Sequence, residues 1–374
     1  MRPVGARCSA RIWPGGWMCW PSPSCWCPVR RRHLAGSTLV SPIVRRPADV
    51  SCSRRSGCRR WPRRRPPARR CCPPQRSTGE ASVREERGCM SNGLEMTTES
   101  SAEAGWVCFM DAGAQRVGWL EAGSVRPVAL ELAAALALAT PPDDARAARA
   151  ARPLETLTLA LPLVPGARVF CIQRNYQAHA QELGGEAPAQ PAIFLRARQS
   201  LVAANATLLR PRVSECHDYE GELAVVIGRP ARHVTREQAL HYVGAYSCFN
   251  DGSIRDWQRQ SITAGKNFEA SGALGPALVP ASRVSHPNAL EVRTHLNGRE
   301  VQSGSTRQMI HDVAALVAYL SDMTCLQPGD VIATGTPEGV GWARQPPLWL
   351  QPGDVVSVEV EQVGRLVNRV TQEP

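Results

Sequence analysis

The chain of 374 residues contains a single lysine, Lys266, and its 43 other basic residues apart from histidine are arginines. Aromatic residues make up only 5% of the sequence, and no apolar run reaches the roughly 18 residues that a membrane-spanning helix needs. The N-terminus also lacks the apolar core of a signal peptide. These absences predict a cytoplasmic protein that has no membrane partner.

Cysteine is sparse after residue 90, where five of the 14 cysteines lie far apart and none forms a CxxC pair. This distribution is typical of a reducing compartment and argues against a disulfide scaffold. The other nine cysteines lie before residue 91, in spacings that fit no zinc pattern well.

Positive charge is concentrated in residues 1–90, which hold 20 arginines and four acidic residues, whereas the rest of the chain is mildly acidic. This segment shows neither helical nor strand periodicity. It is a basic disordered tail that binds nucleic acid, a metal-binding segment, or the translation of GC-rich DNA upstream of a true start at Met90 or Met96. We favour the third interpretation, so residues 1–95 are predicted to be disordered or non-native, and no nucleic-acid partner is expected.

Two domains are predicted after that segment. Residues 96–165 form a small N-terminal domain, because two short apolar strands flank Asp111-Ala112-Gly113. Residues 166–374 form the main domain, which is rich in short strands and turn signals. One of these is Asn297-Gly298, the strongest short hairpin pattern.

Two further patterns complete the fold prediction. The hexapeptide Leu-Gln-Pro-Gly-Asp-Val occurs twice, and its Pro-Gly pair predicts a turn in which Asp330 and Asp354 have structural roles only. Capping boxes at residues 235–238 and 305–308 predict two helices, and apolar residues keep helical spacing after the second. The sequence therefore predicts an α+β fold that is rich in strands, has few helices and shows no βαβ alternation.

Two carboxylates, Glu220 and Glu222, lie two residues apart where an apolar run begins. In an extended chain both project to one face, Ala224 and Val226 follow on that face, and the odd-numbered apolar residues take the other. A strand that is apolar on both faces is usually buried on both, so the two acids repel each other and lose hydration. They are either a solvated pair at a strand end or ligands of a hard divalent cation such as Mg²⁺ or Ca²⁺.

A histidine and a carboxylate form a second candidate group. His179 and Glu182 are three residues apart and share one face of a short helix. A carboxylate beside an imidazole orients the ring and raises its basicity, as a general base for water requires. Gly184-Gly185 would make this segment a mobile lid. The alternative is an ordinary exposed pair.

Three further positions stand in unusual settings. Asp251 follows an apolar strand and is either a third oxygen ligand or the N-cap of a helix near Ser253. Lys266 is either a chance survivor in an arginine-biased chain or a compact ammonium that faces a developing oxyanion. The Gly/Thr loop of residues 333–341 carries backbone N–H groups suited to a carboxylate or phosphate, although it is not a Walker A loop.

Four motifs together resemble the fumarylacetoacetate hydrolase family, over about residues 168–371 and more weakly from about 105. In the family's order these are Asp-Tyr-Glu-Gly-Glu-Leu-Ala-Val-Val-Ile-Gly, Asn-Asp-x-Ser-x-Arg-Asp-x-Gln, Gly-Lys-Asn-Phe and Gly-Thr-Pro-x-Gly-Val-Gly. The chain looks like its 2-keto-4-pentenoate hydratase and 2-hydroxyhepta-2,4-diene-1,7-dioate isomerase members. The resemblance implies a rolled mixed β-sheet domain with a small N-terminal cap, in a homodimer.

The resemblance also implies the residues of the site. It implies Mg²⁺ or Mn²⁺, with Ca²⁺ as an alternative, on Glu220, Glu222 and Asp251. It implies catalytic roles for His179, Glu182 and Lys266. The substrate-binding residues that it implies are Arg174, Tyr176, Arg196, Arg255, Gln258 and Thr336.

The chain departs from the family at Arg196. The family often has the sequence Phe-x-Lys-Pro here, and Arg196 takes the place of its lysine. Arg196 would bind a substrate carboxylate bidentately. The implied substrate is a small 2-oxo or enol acid of aromatic-compound or amino-acid catabolism. Its C–C bond is hydrolysed, or it is hydrated, decarboxylated or isomerised, through a metal-bound enolate. The rival hypotheses are a nucleic-acid-binding protein that acts through the basic N-terminus, and an inactive family member that only binds a small acid.

Overall fold

The computed structural model describes residues 104–143, 150–186 and 188–374. All of them belong to one unit, Cys89–Pro374. The predictions made for residues 1–95, including the two start sites, lie outside the described residues.

Strands dominate the described part of the chain. They are β1 Ala104–Asp111, β2 Ala114–Glu121, β3 Ser124–Val128, β4 Arg152–Pro153, β5 Leu159–Ala160, β6 Val169–Gln173, β7 Ala192–Arg196, β8 Leu201–Val202, β9 Thr207–Arg210, β10 His217–Asp218, β11 Gly221–Ile227, β12 Val243–Asn250, β13 Ser253–Ile254, β14 Gly272–Pro280, β15 Glu291–Leu296, β16 Arg299–Ser305, β17 Val331–Ala333, β18 Val355–Val360 and β19 Gly364–Gln372. The α-helices are α1 Leu132–Ala135, α2 Gln177–Glu182, α3 Arg255–Gln258, α4 Ile262–Lys266 and α5 Val313–Met323. The prediction of a strand-rich α+β fold with few helices is confirmed.

The large sheet has β11 in its interior, in the order β4-β3-β2-β1-β14-β12-β11-β17-β6-β7. Leu223 and Val225 point into one apolar cluster, whereas Ala224 and Val226 point into another. The alternation expected for this strand is therefore confirmed, and both of its faces are buried. The sheet is mixed, because β17 pairs with β6 in parallel and β8 with β14 in parallel.

A second sheet of five strands, in the order β16-β15-β18-β19-β9, packs on β11, β12 and β14. Its apolar residues join the same cluster as Leu223, which places the main core between the two sheets. The predicted hairpin is confirmed, since β15 and β16 are connected by Asn297 and Gly298, both with positive φ. The two hexapeptides form matching turns, with φ of +94° at Gly329 and +99° at Gly353.

The two predicted helices differ in outcome. Residues 235–238 start no α-helix, because only a 3₁₀ turn at residues 239–242 fits before β12 begins at Val243. The capping box at residues 305–308 forms but closes a 3₁₀ turn, and α5 starts later, where Asp312 caps the backbone N–H of Ala315. The expected apolar spacing holds within α5, whose Leu316 and Leu320 are fully buried.

The segment after residue 104 supplies the first strands of the large sheet. β1 and β2 form the hairpin expected around Ala112 and Gly113, and β1 also pairs with β14. Whether residues 96–165 form a domain of their own stays a prediction. No helix within the described ranges has the length and apolarity needed to cross a membrane.

Candidate active site

Three predicted metal-binding acids meet where two neighbouring strands in the interior of the large sheet, β11 and β12, begin and end. Gly221 opens β11 and lies opposite Asn250, the last residue of the antiparallel strand β12. Glu220 and Glu222 therefore flank the start of one strand, and Asp251 follows the end of its neighbour. The backbone N–H of Asp251 donates to the carbonyl of Glu220 at 2.9 Å. One carboxylate oxygen from each acid lies within 4.8 Å of those of the other two.

Burying these three carboxylates together raises the free energy of the folded state unless cations are present. The exposed fractions are 5% for Glu220, 2% for Glu222 and 2% for Asp251. Buried carboxylates lose hydration and repel one another, so they need charge partners or metal. The donor set consists of oxygen only, which suits Mg²⁺, Mn²⁺ or Ca²⁺ rather than a thiophilic metal. The residues fit a divalent ion.

The charge partners of the cluster are unevenly distributed. Glu220 pairs with Lys266 at 2.5 Å and with Arg255 at 2.6 Å, whereas within the described residues Glu222 has no ion pair. Burial would raise the pKa of Glu220, but these two cations lower it below its ordinary value. Burial raises the pKa of Glu222 well above its ordinary value, and the charges of Asp251 and Glu220 raise it further. Of the three acids, Glu222 is therefore the one that forms no ion pair within the described residues, whereas Glu220 and Asp251 each pair with two cations.

Lys266 projects into the acid cluster from the end of α4. Its ammonium donates to Glu220 Oε2, to Asp251 Oδ2 at 2.7 Å and to the Asp251 carbonyl at 2.9 Å. Burial lowers its pKa, but the charges of Asp251 and Glu220 outweigh burial and raise the pKa above its ordinary value. Gly265 is required beside it, because a Cβ there would lie 2.7 Å from the backbone nitrogen of Gln258 in α3.

Arg255 is held by a fourth buried acid, Asp218, which was not singled out from the sequence. Its Nε donates to Asp218 Oδ2 at 2.8 Å, and its Nη1 donates to Gln258 Oε1 at 3.0 Å. Asp218 also accepts from the backbone N–H groups of Gly341 and Trp342. The signal was available, since Asp218 continues the alternation of Glu220 and Glu222.

The histidine and carboxylate of the lid segment are in contact. His179 Nδ1 lies 3.1 Å from Glu182 Oε2 on α2, and His179 is 4% exposed. The other oxygen of Glu182 accepts from the backbone N–H of Gly339 at 2.9 Å. The pair is therefore partly buried and tied to the Gly/Thr loop, unlike an ordinary exposed pair.

The Gly/Thr loop uses its N–H groups differently from the prediction. Gly335 N–H donates to Glu222 Oε2 at 2.8 Å, and those of Gly339 and Gly341 donate to Glu182 and Asp218. Carboxylates of the protein therefore occupy the donors that were expected to hold a ligand anion. The hydroxyl of Thr336 donates to the carbonyl of Gly221 at 2.9 Å, which fixes its orientation.

A cavity of about 210 Å³ brings most of the predicted residues together. The predicted residues that line it are Glu220, Glu222, Asp251, His179, Lys266, Arg174, Arg255, Gln258 and Thr336. Arg259 and Trp342 also line it, although the sequence drew no attention to them. Arg259 directly follows Gln258, which is the only sequence signal that points to it.

Three predicted site residues stand behind the cavity wall, since Glu182, Tyr176 and Arg196 are absent from its lining. Tyr176 is fully buried, and its backbone forms an isolated antiparallel β-bridge with Met309. Arg196 is also buried, and its guanidinium hydrogen-bonds only to protein atoms. Direct contact of Arg196 or Tyr176 with substrate stays a prediction.

Comparison with known protein families shows which family the chain belongs to. The family described as fumarylacetoacetate (FAA) hydrolase C-terminal matches residues 168–371, which is more than half of the chain. The protein belongs to this family. The predicted resemblance is confirmed, and the match spans all of the residues that line the cavity.

Curated relatives of this FAA hydrolase family member include a tautomerase. The fumarylacetoacetate hydrolase domain-containing protein 2 homolog of Dictyostelium discoideum is 38% identical over 231 residues, which are 58% of this chain and 75% of that protein. Oxaloacetate tautomerase FAHD2A, mitochondrial, of Homo sapiens is 38% identical over 222 residues, which are 58% of this chain and 71% of that protein.

Solved structures of the family have the same fold, and each comparison covers 72% of this chain. Fumarylacetoacetate hydrolase from Exiguobacterium antarcticum gives a TM-score of 0.64 at 34% identity, over 100% of that chain. The 2-hydroxyhepta-2,4-diene-1,7-dioate isomerase of Mycobacterium marinum gives 0.61 at 31%, over 99% of that chain. Maleylpyruvate hydrolase from Sphingobium sp. SYK-6, in complex with manganese(II) and pyruvate, gives 0.61 at 26%, over 100% of that chain. Members of the family are thus hydrolases, isomerases and tautomerases.

Proposed function

We propose that this protein is a divalent-metal-dependent enzyme that tautomerises a small 2-oxo diacid of the oxaloacetate type between its enol and keto forms. The observation that carries the proposal is the buried group of Glu220, Glu222 and Asp251, in a cavity that Lys266 and His179 also line. Within the described part of the chain, Glu222 forms no ion pair. The oxaloacetate tautomerase among the relatives supports the choice of reaction.

The three acids would hold Mg²⁺ or Mn²⁺, with Ca²⁺ as a further oxygen-liganded ion. When bound, such an ion supplies a Lewis acid for the oxo group and a template for the adjacent carboxylate. The remaining chemistry belongs to side chains of the chain itself.

Lys266 stabilises negative charge that develops on the oxo oxygen. Its pKa is raised, so the group is an ammonium, and all three of its N–H donors are already bound to Glu220 and Asp251. A substrate oxygen must therefore replace one of these acceptors, which places it directly against the ammonium. Such a preorganised donor in a dry site is worth far more than the same donor in water.

His179 moves the proton. Its Nδ1 faces Glu182, so the ring is oriented with Nδ1–H toward the carboxylate and Nε2 as the free base. Nε2 accepts a proton from the carbon next to the oxo group and delivers it to the oxo oxygen as the enol forms; in the reverse direction it carries the proton from the enol oxygen back to that carbon. Glu182 acts as the positioning residue for this imidazole.

Two arginines at the cavity support a substrate with two carboxylates. Arg174 and Arg259 both line the cavity, and neither has an ion pair within the described residues. By contrast, Arg255 is neutralised by Asp218 and Glu220. The two unpaired guanidinium groups suit the second carboxylate of the substrate, because arginine binds carboxylates bidentately.

Hydrolysis of a C–C bond in an acylpyruvate is the second candidate reaction. The contact between His179 and Glu182 favours it, since an imidazole oriented by a carboxylate is also suited to activating water. The neighbouring maleylpyruvate hydrolase structure supports this alternative at lower identity.

We further propose that the protein works as a homodimer in the cytoplasm, in aromatic-compound or amino-acid catabolism. Several relatives carry the word mitochondrial in their names, so localisation of the full-length chain by microscopy is the direct check of the compartment.

The test is enzymatic. The full chain, treated with EDTA and then given Mg²⁺ or Mn²⁺, is assayed with enol-oxaloacetate by ultraviolet absorbance and with an acylpyruvate by release of pyruvate. Metal with no protein is the control for spontaneous reaction. We expect metal-restored tautomerisation that exceeds acylpyruvate cleavage. The proposal would be overturned if neither of the two substrates were turned over in a metal-dependent reaction.

A further inference from the structure

Arg196 is a buried arginine whose donors all bind the protein. Its exposed fraction is 4%. Nη1 donates to Asp251 Oδ1 at 2.6 Å and to the Gly252 carbonyl at 2.9 Å. Nη2 donates to the Ser271 hydroxyl at 2.9 Å and to the Ser200 carbonyl at 3.2 Å, and Nε donates to the Ser200 hydroxyl at 3.1 Å. No donor is left for a substrate.

The backbone around this guanidinium leaves no spare room. A Cβ at Gly272 would lie 2.7 Å from Nη2 of Arg196, and a Cβ at Gly252 would lie 1.8 Å from the carbonyl oxygen of Ser271. The two glycines therefore let the start of β14, at Gly272, and the turn after Asp251 close around the planar group. The site is shaped for a fork of donors rather than for a point charge.

Asp251 is consequently held from two sides. Arg196 takes Oδ1, and Lys266 takes Oδ2 at 2.7 Å. Lys266 faces the cavity, whereas Arg196 lies behind it. A ligand in the cavity therefore faces Lys266 and not Arg196.

We infer that Arg196 is a positioning residue of the metal site, which fixes the carboxylate of Asp251 as a ligand and does not contact substrate. The inference rests on the proposed metal site. A lysine here would place three donors on one atom and would not reach Ser200, Ser271 and Asp251 together. Partners that orient a metal ligand typically change affinity by about 10–100-fold when they are lost.

The experiment measures Mn²⁺ binding by titration calorimetry and by electron paramagnetic resonance, without any substrate, on the full chain and on Arg196→Lys and Arg196→Gln. The matched control is Arg168→Lys, because Arg168 also pairs with a buried acid, Asp330, but lies outside the cavity lining. Ser271→Ala is a milder variant that removes one partner of Arg196.

We expect Mn²⁺ affinity to fall by about 10–100-fold in Arg196→Gln, less in Arg196→Lys, and by under about twofold in Arg168→Lys. If Arg196→Gln does not fold, the Mn²⁺ affinities of Arg196→Lys and Ser271→Ala test the inference, and both should be lower than that of the wild type. Wild-type Mn²⁺ affinity in the folded variants would overturn the inference, and a raised KM for the 2-oxo acid in the same variants would return Arg196 to substrate binding. Failure of the wild-type chain to bind Mn²⁺ would instead overturn the metal site and, with it, this inference.

Discussion

Asp330 and Glu222 are carboxylates with nearly equal burial, at 1% and 2% exposure, yet their surroundings differ in kind. Asp330 accepts from the guanidinium and the backbone N–H of Arg168, and from the backbone N–H of Gln327. Glu222 accepts from the backbone N–H of Gly335 and has two other acids as neighbours. One acid is saturated by the fold, and the other faces two carboxylates and has its pKa raised by burial and by their charges.

The contrast separates a structural acid from a candidate functional one without reference to any relative. Removing one partner of a saturated buried pair exposes an uncompensated charge, which is strongly destabilising. Removing a charge from a cluster of like charges relieves repulsion, so the free energy of unfolding is maintained while ligand binding is lost. Stability and metal affinity should therefore respond oppositely at the two positions.

The largest expected effect is at Glu222. Glu222→Gln is predicted to weaken Mn²⁺ binding by more than about 100-fold, because it removes a ligand rather than a supporting partner. Its free energy of unfolding in EDTA should match or exceed that of the wild type. Asp330→Asn should show the reverse, with an unfolding free energy lower by about 1–3 kcal/mol, because hydrogen bonds of a buried carboxylate are lost, and with unchanged Mn²⁺ affinity. Calorimetry and urea unfolding read out both, and equal responses of the two variants would break the comparison.

At His179 we expect chemistry alone to change. His179→Gln should lower kcat for tautomerisation by about 10²–10⁴-fold, because the general base is lost. Mn²⁺ affinity should stay at the wild-type value, since no ligand is touched. Steady-state kinetics with a parallel Mn²⁺ titration make the check, and a variant with wild-type kcat would remove His179 from the mechanism.

The same contrast extends to cations. Arg259 lines the cavity and forms no ion pair with any residue that the structure describes, whereas Arg255 pairs with Asp218 and Glu220. Arg259→Gln should raise KM for oxaloacetate by about tenfold and leave the affinity for pyruvate, which has no second carboxylate, unchanged. Arg299→Gln, an exposed position on the β15–β16 hairpin, controls for the loss of charge. Equal losses for both acids would mean that Arg259 does not recognise the second carboxylate.

The smallest effect concerns His217, a buried histidine away from the cavity lining. Burial lowers its pKa to about 4, from an ordinary value of 6.5, and its Nε2 lies 3.0 Å from the carbonyl of Ser271. The unfolded chain binds a proton first as the pH falls below 6.5, so stability is complete above 6.5 and declines toward pH 4.

Between pH 6.5 and 5.5 this decline should amount to about 1 kcal/mol, measured by urea unfolding in EDTA. His217→Gln keeps a polar side chain that does not titrate, and the cluster of Glu220, Glu222 and Asp251 is the same in both proteins. The difference between the two pH profiles therefore isolates this single group. Parallel profiles over that range would show that His217 titrates alike in the folded and unfolded chains.

Local patterns were sufficient to predict the strand and its acids. The alternation from Glu220 to Val226 follows from the period of an extended chain, and the fold then buries both faces. The hairpin at Asn297-Gly298 is equally local. The 235–238 capping box failed as a helix signal because the start of β12 at Val243, a tertiary constraint, limited the space.

Roles that depend on partners far away in the chain were not predictable. Arg196 donates hydrogen bonds to Asp251 and Ser271, which lie 55 and 75 residues further along the chain. No sequence pattern near Arg196 predicts either contact. The donors of the Gly/Thr loop were likewise expected to be free, but Glu182 and Asp218 take two of them from distances of more than 100 residues. Sequence supplied the charged groups, and the fold decided which of them remain unsatisfied.

The central claim is that Glu220, Glu222 and Asp251 together bind a divalent ion. The most direct measurement is anomalous scattering from a crystal of the full chain soaked in Mn²⁺. The account predicts one strong manganese peak per chain, in contact with an oxygen of each of the three carboxylates, and no such peak in a crystal of Glu222→Gln. A wild-type crystal without a peak at this cluster, or with its only strong peak elsewhere, would contradict it.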